Sequence, residues 1–155
     1  MRGRLISAGI ALVLAFGAAS CGSSSSGGYG KAGDAAQASR TVDVHIRPTK
    51  QYEPPSISVK PGETVTFKVI NDDAGAVHEF VLGDKKVQDD YEKEMKAMGT
   101  SQMKMADRSN LRNIDPGQSE EITWTFPSKT GAAVIYGSHE PGDYDGGLKG
   151  TITVS

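Results

Sequence analysis

Apolar and polar positions alternate through most of the chain with the two-residue period of half-buried strands. Residues 41–46 put Val42, Val44 and Ile46 against polar neighbours. Residues 56–59 form a short strand, and residues 63–70 alternate again through Val65, Phe67 and Val69. An apolar strand follows His78, Ile122, Trp124 and Phe126 alternate within 119–126, and residues 132–136 and the last few before Ser155 read the same way. Pro61-Gly62, Asp115-Pro-Gly and Lys129-Thr-Gly supply turns between them. Tyr52-Glu-Pro-Pro breaks the pattern, because each proline removes a ladder donor. Residues 83–113 interrupt it, and within them 89–98 carries a helical rhythm. Tyr91, Met95 and Met98 share one face there, Glu92 and Lys96 are spaced to pair, and Asp89 and Asp90 mark the start. About seven short strands joined by turn residues, with one short helical insertion, predict an all-β Greek-key sandwich.

The first forty residues change the picture of where the domain works. Arg2 and Arg4, an apolar core over 5–16 and Ala18-Ala19-Ser20 read as an export signal over 1–20, too short for the roughly 20 residues of a spanning helix. Small residues before Cys21 resemble the bacterial lipobox, whose cysteine becomes lipid-modified. Ala18 stands where that motif usually has Leu, which leaves ordinary signal cleavage as the alternative. The implied place is the outer face of the cell membrane, on the periplasmic or extracytoplasmic side, with the membrane held through a lipid anchor. Residues 21–40, rich in Gly and Ser, read as a flexible tether, and 41–155 as one domain.

Charge and cysteine usage then exclude whole classes of function. Without Arg2 and Arg4 the 17 basic residues become 15 against 19 acidic ones, a formal charge of −4 that gives no footprint for nucleic acid. Cys21 is the single cysteine of the chain, so the domain has no disulfide, no cysteine nucleophile and no thiolate metal ligand. No Ser/His/Asp ordering, phosphate-cradling glycine loop or metal motif with an open position supports an enzyme.

Residues 134–154, VIYGSHEPGDYDGGLKGTITV, resemble the copper-binding end of the cupredoxins, the plastocyanin and azurin family. In that pattern a Cys closes a strand, a His follows five residues later and a Met five after that. Laid on Pro141-Gly142 and Gly147-Leu148-Lys149-Gly150, it puts Ser138 at the Cys position, Asp143 at the His position and Leu148 at the Met position. The segment PSISVKPGETVTFKVIN resembles the front half of such domains, which leads through an Asn to the first copper-ligating His. Asn71 and His78 stand in those places. The resemblance spans residues 41–155 and implies a cupredoxin-like sandwich.

A blue-copper centre needs a Cys thiolate, so the resemblance with Ser138 excludes type 1 copper and its electron transfer. Three donor sets are left. His78 and Asp143, with Ser138 or water, form a weak N/O site for copper or another divalent ion. His139 is a further imidazole, although alternation turns it away from the pocket if Ser138 points in. Met95, Met98, Met103 and Met105 could hold Cu(I) through soft thioethers, or simply fill gaps under the helix. Asp143-Tyr-Asp145-Gly reads more simply as a turn than as a cation loop. Two functions follow: a lipid-anchored module binding copper or another divalent ion weakly, or a metal-free fold serving as a structural or protein-interaction module with an envelope partner.

Overall fold

The computed structural model describes residues 28–99 and 105–155. The export signal, Cys21 and Met103 lie outside them. Two five-stranded sheets face each other. The first runs β1 (Lys31–Ala32), β8 (Ser119–Thr125), β5 (Thr64–Asn71), β2 (Arg40–Arg47) and β3 (Gln51–Glu53). The second runs β4 (Ser56–Val59), β10 (Lys149–Val154), β9 (Ala133–Gly137), β6 (His78–Gly83) and β7 (Leu111–Ile114). The β2–β5 and β4–β10 pairs are parallel and the others antiparallel.

Period-two alternation turns one side of each strand inward, where Val65, Phe67 and Val69 of β5 meet Ile122 and Trp124 of β8 and Ile152 and Val154 of β10. Phe80 sits amid this core with ring centroids 5.3 Å from Tyr136, 5.8 Å from Phe67 and 5.9 Å from Tyr52. These large rings remove the most apolar area from water, and the loops at one end of the sandwich are built on them.

Three details differ from the sequence reading. Among the described residues ten strands replace about seven, because β1, β3 and β7 are too short to show a period. The helix, α1 (Lys85–Met98), starts four residues earlier than the Asp pair suggests, since Asp84 caps it by accepting from the Val87 amide at 2.9 Å. Asp89 and Asp90 instead pair with Lys85 and Lys86 one turn back. The helix buries Gln88, Tyr91 and Met95, while Met98 is exposed on the last turn.

The third difference lies in residues 29–39, which pack on the sandwich ahead of Thr41. Tyr29 stacks on Trp124 with ring centroids 5.7 Å apart and planes 4° from parallel, and its carbonyl accepts from the indole N–H at 2.9 Å. β1 then pairs with the edge of β8, Lys31 opposite Thr125 and Ala32 opposite Trp124. A short 3-10 helix (Ala35–Gln37), capped by Asp34, carries the chain into β2. Gly/Ser content favours a tether, but one aromatic residue meeting the only Trp gives residues 29–39 a place on the sandwich.

Candidate functional site

The pocket lies where β5 and β9 end and β6 begins. Asn71 organises the loop before His78: its amide donates to the Ala76 carbonyl at 2.8 Å and the Ile114 carbonyl at 3.1 Å, and its oxygen accepts from the Asp73 amide at 3.0 Å. On the other side, Ser138 follows β9 directly. The loop after it closes on itself through Asp143 N–H to the Glu140 carbonyl, Leu148 N–H to the Asp143 carbonyl and Ser138 N–H to the Leu148 carbonyl, all at 2.9–3.1 Å. Gly142 and Gly147, at φ of 85° and 98°, take the left-handed conformations these turns need.

These loops bring His78, Ser138 and Asp143 together. His78 Nδ1 lies 2.6 Å from Asp143 Oδ2, with each side chain 1% exposed. The Ser138 hydroxyl donates to the same Oδ2 at 2.7 Å and accepts from the Glu79 amide at 3.0 Å. Lys50 donates to Asp143 Oδ1 at 2.9 Å, and His78 Nε2 lies 3.5 Å from Asp73 Oδ2. Both ring nitrogens of His78 thus face carboxylates. Burial pulls this imidazole down, but the hydrogen bond and charge of Asp143, and then of Asp73, outweigh it and hold His78 above its ordinary value. For Asp143, burial pushes up, and the hydrogen bonds from His78, Ser138 and Lys50 hold it below the usual carboxylate range. The pocket is therefore a buried histidine–carboxylate pair, with a lysine on the second carboxylate oxygen.

That chemistry does not fit a type 1 copper ion. The hydroxyl at the Cys position has spent both its proton and a lone pair on neighbours. His78 Nδ1 is already engaged by the Asp143 carboxylate at 2.6 Å. Leu148, fully buried, packs into the apolar core instead of offering a thioether. Among the described residues no three His, Cys, Asp or Glu side chains stand where they could share one metal ion.

The remaining sequence candidates lie elsewhere. His139 is turned under α1, its Nδ1 2.6 Å from Glu92 Oε2 and its Nε2 2.7 Å from Gln88 Oε1. The Gln88 amide donates to the Val81 and Ile135 carbonyls, which fixes its oxygen as the acceptor for His139 Nε2–H. Tyr144 stacks on the same imidazole at 4.3 Å, and Tyr91 meets it edge-on at 5.0 Å. His139 so clamps the loop to the helix. Met95 is buried with Val81, Tyr91 and Leu111, and Met105 packs against that cluster. Exposed Asp145 pairs with Lys96 at 2.8 Å.

Two buried carboxyls were missed by sequence reasoning. Glu79 accepts from the Tyr91 hydroxyl at 2.6 Å and the His139 amide at 3.1 Å, and its carbonyl takes the Tyr52 hydroxyl. Glu140 is 2% exposed and neither oxygen has a hydrogen-bond partner. Burial first, then the charges of Glu79 and Asp143, push its carboxyl up to about 7. A charged residue wedged between Ser-His and Pro-Gly was the available signal.

The two-sheet sandwich with its ligand-loop frame defines a cupredoxin. Auracyanin from Roseiflexus castenholzii superposes with a TM-score of 0.63 at 28% identity, over 76% of this chain and 98% of that one. Auracyanin B gives 0.65 at 23% identity, over 83% and 96%. No family model matches the sequence. The copper-resistant cuproprotein CopI of Pseudomonas aeruginosa is 34% identical over 172 positions, spanning 94% of this chain and 93% of CopI. CopI of Rubrivivax gelatinosus is 39% identical over 127 positions, spanning 81% and 73%. The chain belongs to the CopI family and is a copper-related cupredoxin-like protein.

Proposed function

We propose that this member of the CopI family is an exported module, anchored by a lipid on Cys21 to the outer face of the cell membrane, that serves copper handling without carrying electrons. The observation that carries this reading is the 2.6 Å contact between His78 Nδ1 and Asp143 Oδ2, further saturated by Ser138 and Lys50. The Asp143 carboxylate engages one ring nitrogen of His78 and competes with any ion for it. The domain then acts through its folded surface, as a structural or protein-interaction module of the envelope. The relatives' copper resistance supports the setting, and the rewired pocket supports the loss of redox chemistry.

The unpartnered Glu140 carboxyl favours a second reading. Once His78 gives up its proton, a divalent ion could be held loosely by His78 and Asp143 with water, nitrogen and oxygen donors suited to Zn(II) or Cu(II), with the Glu140 carboxyl adding negative charge nearby. Metal analysis of the mature domain, alone and with Cu(II), Cu(I) or Zn(II), tests both. Little or no bound metal and no intense visible absorption support the electron-inactive module. Stoichiometric metal lost in His78→Ala and held more weakly in Glu140→Gln moves the function to ion binding.

A further inference from the structure

The two ends of the sandwich differ in charge and in their relation to the N-terminal segment. β5 runs from Thr64 to Asn71, so its ends lie roughly 23 Å apart at about 3.3 Å per residue. Asn71 marks the end carrying His78 and the 138–148 loop. Thr64 marks the opposite end, where register places Thr125 beside it and Lys31 beside Thr125. The turns around Gly62 and Ser128 close that end, joined by the Gly62 amide on the Pro127 carbonyl.

The chain enters the sandwich at this opposite end and is fixed there. Tyr29 is stacked on Trp124, β1 is paired to β8, and the Gly33 amide donates to the Thr123 carbonyl at 3.0 Å. Gly30, at φ 110°, leaves no space for a side chain, because a Cβ there would collide with the Trp124 ring. Whatever conformation it takes, the span from Cys21 to Tyr29 reaches at most about 29 Å. To lay the 138–148 loop on a bilayer, it would have to run almost straight back along the whole sandwich.

The charges favour the same orientation. Lys31, Lys60 and Lys129 are exposed at the Thr64 end, and none forms an ion pair among the described residues. Arg40 there is matched by Glu63 at 3.0 Å, and Asp34 caps the 3-10 helix. At the His78 end Asp72 is paired with Arg47 and His45, Asp143 with Lys50 and His78, and Asp145 with Lys96, while Glu79 and Glu140 are buried. An anionic bilayer attracts the three unpaired lysines of the first end, whereas the charges of the second are largely matched among themselves.

We propose that β1 pins the domain with its Lys31–Lys60–Lys129 end on an anionic membrane surface, so that the His78–Asp143 pocket and its loop are presented away from the bilayer. The orientation rests on the anchoring reading above, and a two-part experiment separates them. Protein made in a bacterium with its own signal is examined by mass spectrometry for lipid on Cys21. The mature chain, lipidated or else coupled through the Cys21 thiol to a maleimide lipid, is placed on phosphatidylglycerol vesicles and its lysines are modified with an amine reagent. Several-fold protection of Lys31, Lys60 and Lys129, with Lys50 and Lys149 reacting as they do in solution, is the expected result. Loss of that protection in Tyr29→Ala would tie it to the pin. Equal protection at both ends, or protection of Lys50 and Lys149 alone, overturns the orientation whether or not Cys21 is lipidated in the cell. An unmodified Cys21 overturns only the anchoring.

Discussion

Replacing Asp143 with Asn keeps the shape of the side chain and removes the charge on which the pocket is built. His78, 1% exposed, loses the nearer of its two carboxylates, and Ser138 and Lys50 lose a charged acceptor. Breaking a buried ion pair from one side costs about 3–5 kcal/mol. Lys50 adds little to that, being 48% exposed and able to turn to water. For a domain of this size such a loss lowers Tm by roughly 10–20 °C. Urea unfolding followed by the fluorescence of Trp124 reads the change directly, with an unchanged m-value as the check that the denatured state is the same. The pH dependence sharpens the test. His78 is held above 6.5, so its contribution is complete below that value and fades as pH rises through the folded pKa. Asp143 is held below 3.8, so its contribution is complete above that value and fades as pH falls through the folded pKa. Wild-type stability should therefore peak between these limits, and Asp143→Asn should flatten the profile. A loss under about 1 kcal/mol, with the wild-type profile retained, would refute the buried-pair description.

Further outcomes follow from the same contacts. Glu140→Gln should leave stability unchanged near pH 4 and raise it near pH 8, because an acid pushed up to about 7 costs the folded state as pH rises toward that value; urea titrations at both pH values check this. Leu148→Ala should cost about 2–5 kcal/mol and Leu148→Met under about 1.5, the measure of a packing residue with no ligand role, read by denaturation. Tyr29→Ala should cost about 0.5–1.5 kcal/mol beyond lost burial and shift the Trp124 emission, since the stacked ring and its indole hydrogen bond anchor β1.

Much of the sandwich was legible because long strands such as β5 and β8 carry several periods of alternation between Pro-Gly turns. β1 was not, since two residues have no period and its place depends on Tyr29 meeting Trp124 from 95 positions away. The start of α1 was hidden for a different reason: Asp84 caps it, while the more conspicuous Asp89 and Asp90 serve side-chain pairs. In the pocket, the structure brings Ser138 and Asp143 together beside His78 and packs Leu148 into the core. What they do there depends on Lys50, 93 positions from Asp143. Position alone could not show that the nitrogen of His78 was already taken. Nor could it show Glu140 turned inward, which only the packing of Glu79 and Asp143 makes costly.

The most direct measurement is the protonation of the His78 side chain, read from its ring nitrogens by long-range proton–nitrogen NMR across pH 5–9, with and without one equivalent of Cu(II). Two protonated nitrogens persisting above the ordinary histidine range, with signals that survive the added copper, are expected. A neutral ring near pH 7 whose resonances vanish on addition of the metal would contradict the claim that an internal histidine–carboxylate pair fills the copper pocket.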